Sequence, residues 1–129
     1  MAYERLNMAV FLIVIVVVTL QMQMSNAQNS HTVGDSVGWA FPPNANTYAT
    51  WAASQKFAVG DTLVFKFVNQ VHTVAEVTET AYKTCNTQNP ISVWSSSPAS
   101  VPLKSSGSHY YLCTVPDHCS AGQKLAINV

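Results

Sequence analysis

The chain has 129 residues, six basic against six acidic, and only 9% of them are charged. Such a balance lacks the clustered Lys and Arg on which nucleic-acid binding and polybasic membrane attachment depend. With 48% hydrophobic residues at this length, one small core is expected rather than several domains.

In chain order the first feature is a leader. Arg5 precedes an apolar run over 8–20, and Ser25-Asn26-Ala27 then offers small residues for cleavage, so residues 1–27 read as a secretory signal peptide. A transmembrane anchor is the alternative, but the run falls short of the roughly 20 apolar residues a span needs. Cleavage after Ala27 leaves one domain, 28–129. There Lys56, Lys66, Lys83, Lys104 and Lys124 balance Asp35, Asp61, Glu76, Glu79 and Asp117, so the secreted part is neutral as well.

The domain then reads as short strands separated by turn signals, the pattern of an all-β sandwich or barrel. Runs over 62–68, 71–77, 91–94, 99–103, 108–113 and 124–129 are the expected strands. Period-2 alternation along 71–77 places His72 on the strand, on the face of Val74. Two stretches do not alternate and are expected as short helices, over 47–54 and over 78–85. In the second, Thr78 can cap the first turn and Glu79 suits its dipole. Asn-x-Ser/Thr sequons are absent from the sequence, and nothing after Val129 reads as a glycolipid-anchor signal.

Three cysteines fall in the domain, Cys85, Cys113 and Cys119. In an oxidising compartment two pair and one is left over. The position of Cys113 against His118 and Gln123 favours it as a metal ligand, leaving Cys85 with Cys119. A Cys85–Cys113 bridge with Cys119 free remains the alternative.

Cys113, His118 and Gln123 sit five residues apart on one short loop. Pro116 disfavours a helix between the first two, and Gly122 can turn the chain into the last strand. A soft thiolate with neutral imidazole suits copper, zinc or iron, and two His with one Cys and a weak axial donor is an electron-transfer copper pattern. His72 is the best second imidazole, because His31 lies too near the start of the domain and His109 is four residues before Cys113 along a strand. Met1, Met8, Met22 and Met24 all lie in the leader, so the axial donor must be Gln123 or a backbone oxygen. Zinc is the competing metal, yet neither close Cys/His pairs nor a base beside an open position is apparent. No catalytic motif suggests an enzyme.

Phe67-Val68-Asn69-Gln70-Val71-His72-Thr73-Val74, Cys85, and Tyr110-Tyr111-Leu112-Cys113 through His118-Cys119 to Gln123 together resemble the phytocyanins, plant blue copper proteins of the cupredoxin fold. Val33-Gly34-Asp35, Gly38-Trp39, Tyr48 with Trp51, and Phe57-Ala58-Val59-Gly60-Asp61 carry the resemblance further, across nearly all of 30–129. Gln123, where most relatives have Met, is similar to the stellacyanin subgroup. The resemblance implies a Greek-key β-sandwich of eight or so strands with one or two short helices. It also implies one copper held by His72, Cys113, His118 and Gln123, and a Cys85–Cys119 disulfide. Single-electron transfer outside the cell follows, in the apoplast, the wall or at the outer face of the plasma membrane, by a monomer with a small-molecule or protein redox partner. An interaction or signalling module in which copper is incidental is the alternative. Stellacyanin-like relatives often carry a Pro-rich tail, which this sequence does not show.

Overall fold

The computed structural model describes residues 2–24 and 28–129. The expected cleavage site at Ser25-Asn26-Ala27 lies outside the described residues. Ala2–Met24 forms helix α1. Among the described residues, no helix is long and apolar enough to cross a membrane.

Residues 28–129 build a sandwich of two sheets. The first has the order β1(Ser30–Thr32), β2(Thr62–Phe65), β5(Ala99–Pro102), with β1 parallel to β2 and β5 antiparallel to it. The second has the order β4(Ser92–Trp94), β3(Val74–Val77), β6(Ser108–Leu112), β7(Lys124–Asn128), antiparallel throughout. The chain crosses between sheets from β2 to β3, from β4 to β5 and from β5 to β6, a Greek-key path. Seven strands are thus formed among the described residues. β1 escapes a pattern search because it is three residues long and mostly polar.

Alternation predicts the burial well within the first sheet and less well in β3. Leu63 and Phe65 of β2 face the core with Ala99 and Val101 of β5, and meet Val74, Tyr111, Leu125 and Ile127 from the second sheet. Trp39 joins them, its ring 5.0 Å from Phe65 in an edge arrangement and 4.8 Å from Tyr48. In β3, however, Val74, Ala75 and Val77 are all buried. The reason is a second layer: α3(Glu79–Thr84) covers the outer face of the sheet, and Ala75, Val77, Leu112 and Cys119 form a smaller apolar cluster with Tyr82 and Tyr110.

The two expected helices form as α2(Thr47–Ala53) and α3, the latter capped by the Thr78 side chain, which accepts from the Ala81 amide. A third, α4(His118–Ala121), was not expected, since four residues carry no legible periodicity. It starts two residues after Pro116, with Asp117 at its N-cap.

A buried polar plug ties β1 to the loop before β2. His31 Nε2 lies 2.9 Å from Asp61 Oδ2, while the Asn29 and Ala58 amides donate to the same carboxylate at 3.0 Å each. The His31 hydrogen bond first, and the Asn29 amide second, hold the Asp61 carboxyl below its ordinary value. A depressed folded value means that ionised Asp61 stabilises the fold above the unfolded pKa of about 3.9. That stabilisation is lost as the pH falls through the lower folded value. Urea midpoints followed into acid should therefore drop more steeply in the parent than in Asp61→Asn, which starts lower. Parallel curves would refute this role.

Candidate metal centre

His72 precedes β3 rather than lying on it. Val68-Asn69-Gln70-Val71 closes a turn, with Gln70 left-handed at φ 68° and the Val71 amide donating to the Val68 carbonyl at 3.2 Å, which delays the strand to Val74. The imidazole nevertheless points inward and is only 7% exposed. Cys113 follows the last residue of β6 and is fully buried with a free thiol. Its amide donates to the Gln123 carbonyl at 3.1 Å, pinning the two ends of the loop together. His118 opens α4 and is half-buried.

One donor atom each from His72, Cys113 and His118 falls in a group spanning no more than 4.8 Å. Cys113 Sγ is 3.6 Å from His118 Nδ1, and the two imidazole rings are 5.1 Å apart. Gln123 completes the group from the position just before β7, fully buried, with Nε2 3.2 Å from His72 Nδ1. Burial, and secondarily the facing His118, lowers the His72 pKa below its ordinary value. Neutral imidazole, the form that ligates metals, is thereby favoured.

Gln123 Oε1 provides the test of fit. Among the described residues it is one of two buried side-chain polar atoms with no hydrogen-bond partner. An orphaned buried acceptor costs about 1–3 kcal/mol, and a cation alongside removes that cost. Together with a thiolate and two imidazoles, the donor set fits copper better than the harder divalent ions.

The other two histidines are engaged elsewhere. His31 is locked to Asp61, and His109 Nε2 meets the Ser105 carbonyl at 2.9 Å. The structure also forms the Cys85–Cys119 disulfide, so the alternative bridge through Cys113 is absent. Cys119 adjoins His118, which fastens α4 to the C-terminal end of α3.

Sequence reasoning missed the supporting residues. The Thr73 hydroxyl accepts from the Thr114 amide at 2.9 Å, lies 2.7 Å from the Thr114 hydroxyl and reaches Cys113 Sγ at 3.9 Å. Trp39 Nε1 donates to the Thr73 carbonyl at 2.8 Å. The available signal was position alone, since Thr73 and Thr114 each directly follow a candidate donor.

A family model described as a plastocyanin-like domain matches residues 39–123. The chain is similar to the stellacyanin of Toxicodendron vernicifluum, at 42% identity over 101 residues, covering 77% of this chain and 94% of that one. It is 40% identical to a blue copper protein of Pisum sativum over the whole chain, but spans 65% of that protein, just under two thirds of its length. Among solved structures, cucumber stellacyanin with Cu2+ superposes with a TM-score of 0.73 at 42% identity, covering 79% of this chain and 94% of that one.

Proposed function

The chain belongs to the phytocyanins, the plant blue copper proteins of the plastocyanin-like family, and from that premise we propose that residues 28–129 are a secreted carrier of single electrons with one type 1 copper. In this reading His72, Cys113 and His118 would be the strong donors and Gln123 the weak one. The observation that carries it is the convergence of the three donor atoms within 4.8 Å beside the buried, unpartnered Gln123 Oε1. Removal of 1–27 as a signal peptide belongs to the same reading.

Copper held by these residues would supply a Cu(I)/Cu(II) couple for one-electron transfer. The chain's part is to hold the donors still. β6, β7 and the disulfide-fastened α4 fix Cys113, Gln123 and His118 on three linked segments, while the Thr73–Thr114 pair joins the His72 loop to the Cys113 loop. Burial of His72 and Cys113 excludes water from the thiolate. His118 alone among the three strong donors is half-exposed, which makes its edge the place where a redox partner approaches.

Adding Cu(II) to purified 28–129 tests the reading through an intense thiolate-to-copper visible band at one equivalent of metal. A colourless protein would sink it. An amide oxygen is a harder donor than a thioether and favours Cu(II). Gln123→Met should therefore raise the reduction potential measured by voltammetry, and an unchanged potential would count against axial ligation.

A further inference from the structure

The segment 39–46 contributes no metal donor, yet it touches the surroundings of three of the four candidate ligands. At its start the Trp39 amide donates to the Lys66 carbonyl at 2.9 Å, and the Trp39 indole donates to the Thr73 carbonyl, one residue beyond His72. The buried Tyr48 hydroxyl accepts from the Ala40 amide at 2.8 Å and lies 2.8 Å from the Gly38 carbonyl, so it can grip both sides of Trp39. Pro42 is buried. The Thr47 hydroxyl donates to the Asn44 carbonyl at 2.9 Å, closing the far end onto α2. Ala45 lies so close to Gly122 that a Cβ built there would stand 2.9 Å from the Ala45 Cα and carbonyl oxygen.

Between these anchors stands Phe41. Its side chain is 56% exposed, so burial does little to explain its place. The ring nonetheless sits 5.4 Å from the His118 imidazole at 83°, the edge-to-face arrangement aromatic quadrupoles prefer. His72 packs on the His118 ring as well, at 5.1 Å. His118 thus has a donor ring and a non-donor ring as neighbours, and its Nδ1 faces Cys113 Sγ.

We propose that Phe41 is a positioning residue of the metal centre: carried by the anchored 39–46 segment, it fixes the plane of the His118 imidazole so that Nδ1 stays aimed at the site. The inference rests on the reading of His118 as a copper ligand. Leu at this position would keep apolar contact but lose the directional preference between rings. Tyr would keep both.

Two measurements test this. In the copper-loaded protein, Phe41→Leu should release copper to a chelator roughly three- to ten-fold faster, the range set by the strength of one aromatic pair. Its thiolate-to-copper absorption should shift as well. Phe41→Tyr should match the parent in both, and Ile91→Ala, an exposed apolar change on the edge of the second sheet, should do nothing. Equal release and spectra in the Leu variant, or a lowered unfolding midpoint with no spectral change, overturn the proposal. The second measurement does not need copper. In the metal-free chain the His118 ring protons should show an NMR ring-current displacement that Phe41→Leu reduces, leaving the share due to His72. Shifts in the parent equal to those in the Leu variant overturn it whether or not the protein binds copper, whereas failure of copper to colour the parent condemns only the functional reading.

Discussion

Cys113→Ser should eliminate the visible band altogether while leaving a folded protein. Serine is close to cysteine in size, and the site lies on a loop end already held by the amide of residue 113 to the Gln123 carbonyl, so the backbone keeps its anchor. What disappears is the only free thiol among the described residues, and with it the polarisable candidate donor that distinguishes a copper site of this kind from a pair of imidazoles. His72 and His118 remain to bind Cu(II) in a weak, nearly colourless manner. Absorption during copper titration reads the first effect, and circular dichroism reads the retained fold. A Ser variant with the parent's band would remove Cys113 from the site.

The second large effect is on stability. Cys85→Ala with Cys119→Ala opens a bridge across a sequence separation of 34 residues, which loop-closure entropy values at roughly 4 kcal/mol. Against a net stability of about 5–15 kcal/mol for a domain of this kind, that is a large share. The damage is also local, because Cys119 is the second residue of α4 and His118 the first, so the imidazole loses the tie that holds its helix to α3. Denaturant unfolding should show the loss directly, and copper dissociation should accelerate in step. A change below about 1 kcal/mol would mean that the outer cluster of Ala75, Val77 and Leu112 holds α4 unaided.

The candidate donors were legible because their residue types are scarce. With three cysteines, four histidines and no methionine after position 24, few combinations could build a site, and the spacing of Cys113, His118 and Gln123 left little choice for the loop. The strand pattern gave the sandwich for a similar reason, since alternation survives wherever one face meets the core. It failed where that condition fails. β3 is covered on both sides, so its burial does not alternate, and His72 sits in a turn whose left-handed Gln70 no period-2 count reveals. α4 is too short for any periodicity. The supporting roles of Phe41, Trp39 and Thr73 were hidden for a different reason: each acts through a contact with a residue 34 to 77 positions away, as Trp39 with Thr73 and Phe41 with His118.

The clearance at Gly122 has a practical consequence for anyone wishing to transplant this site. With φ at 113° and the Ala45 backbone standing where a side chain would go, the position admits no other residue without moving the 39–46 segment. The ligand loop and that segment are therefore a matched pair, cut to each other's length. Grafting 113–123 alone onto a foreign sandwich would deliver Cys113, His118 and Gln123 without His72 and without the surface they are moulded against. The smallest portable unit of this candidate centre is three pieces of chain, the loop that carries His72 being the third.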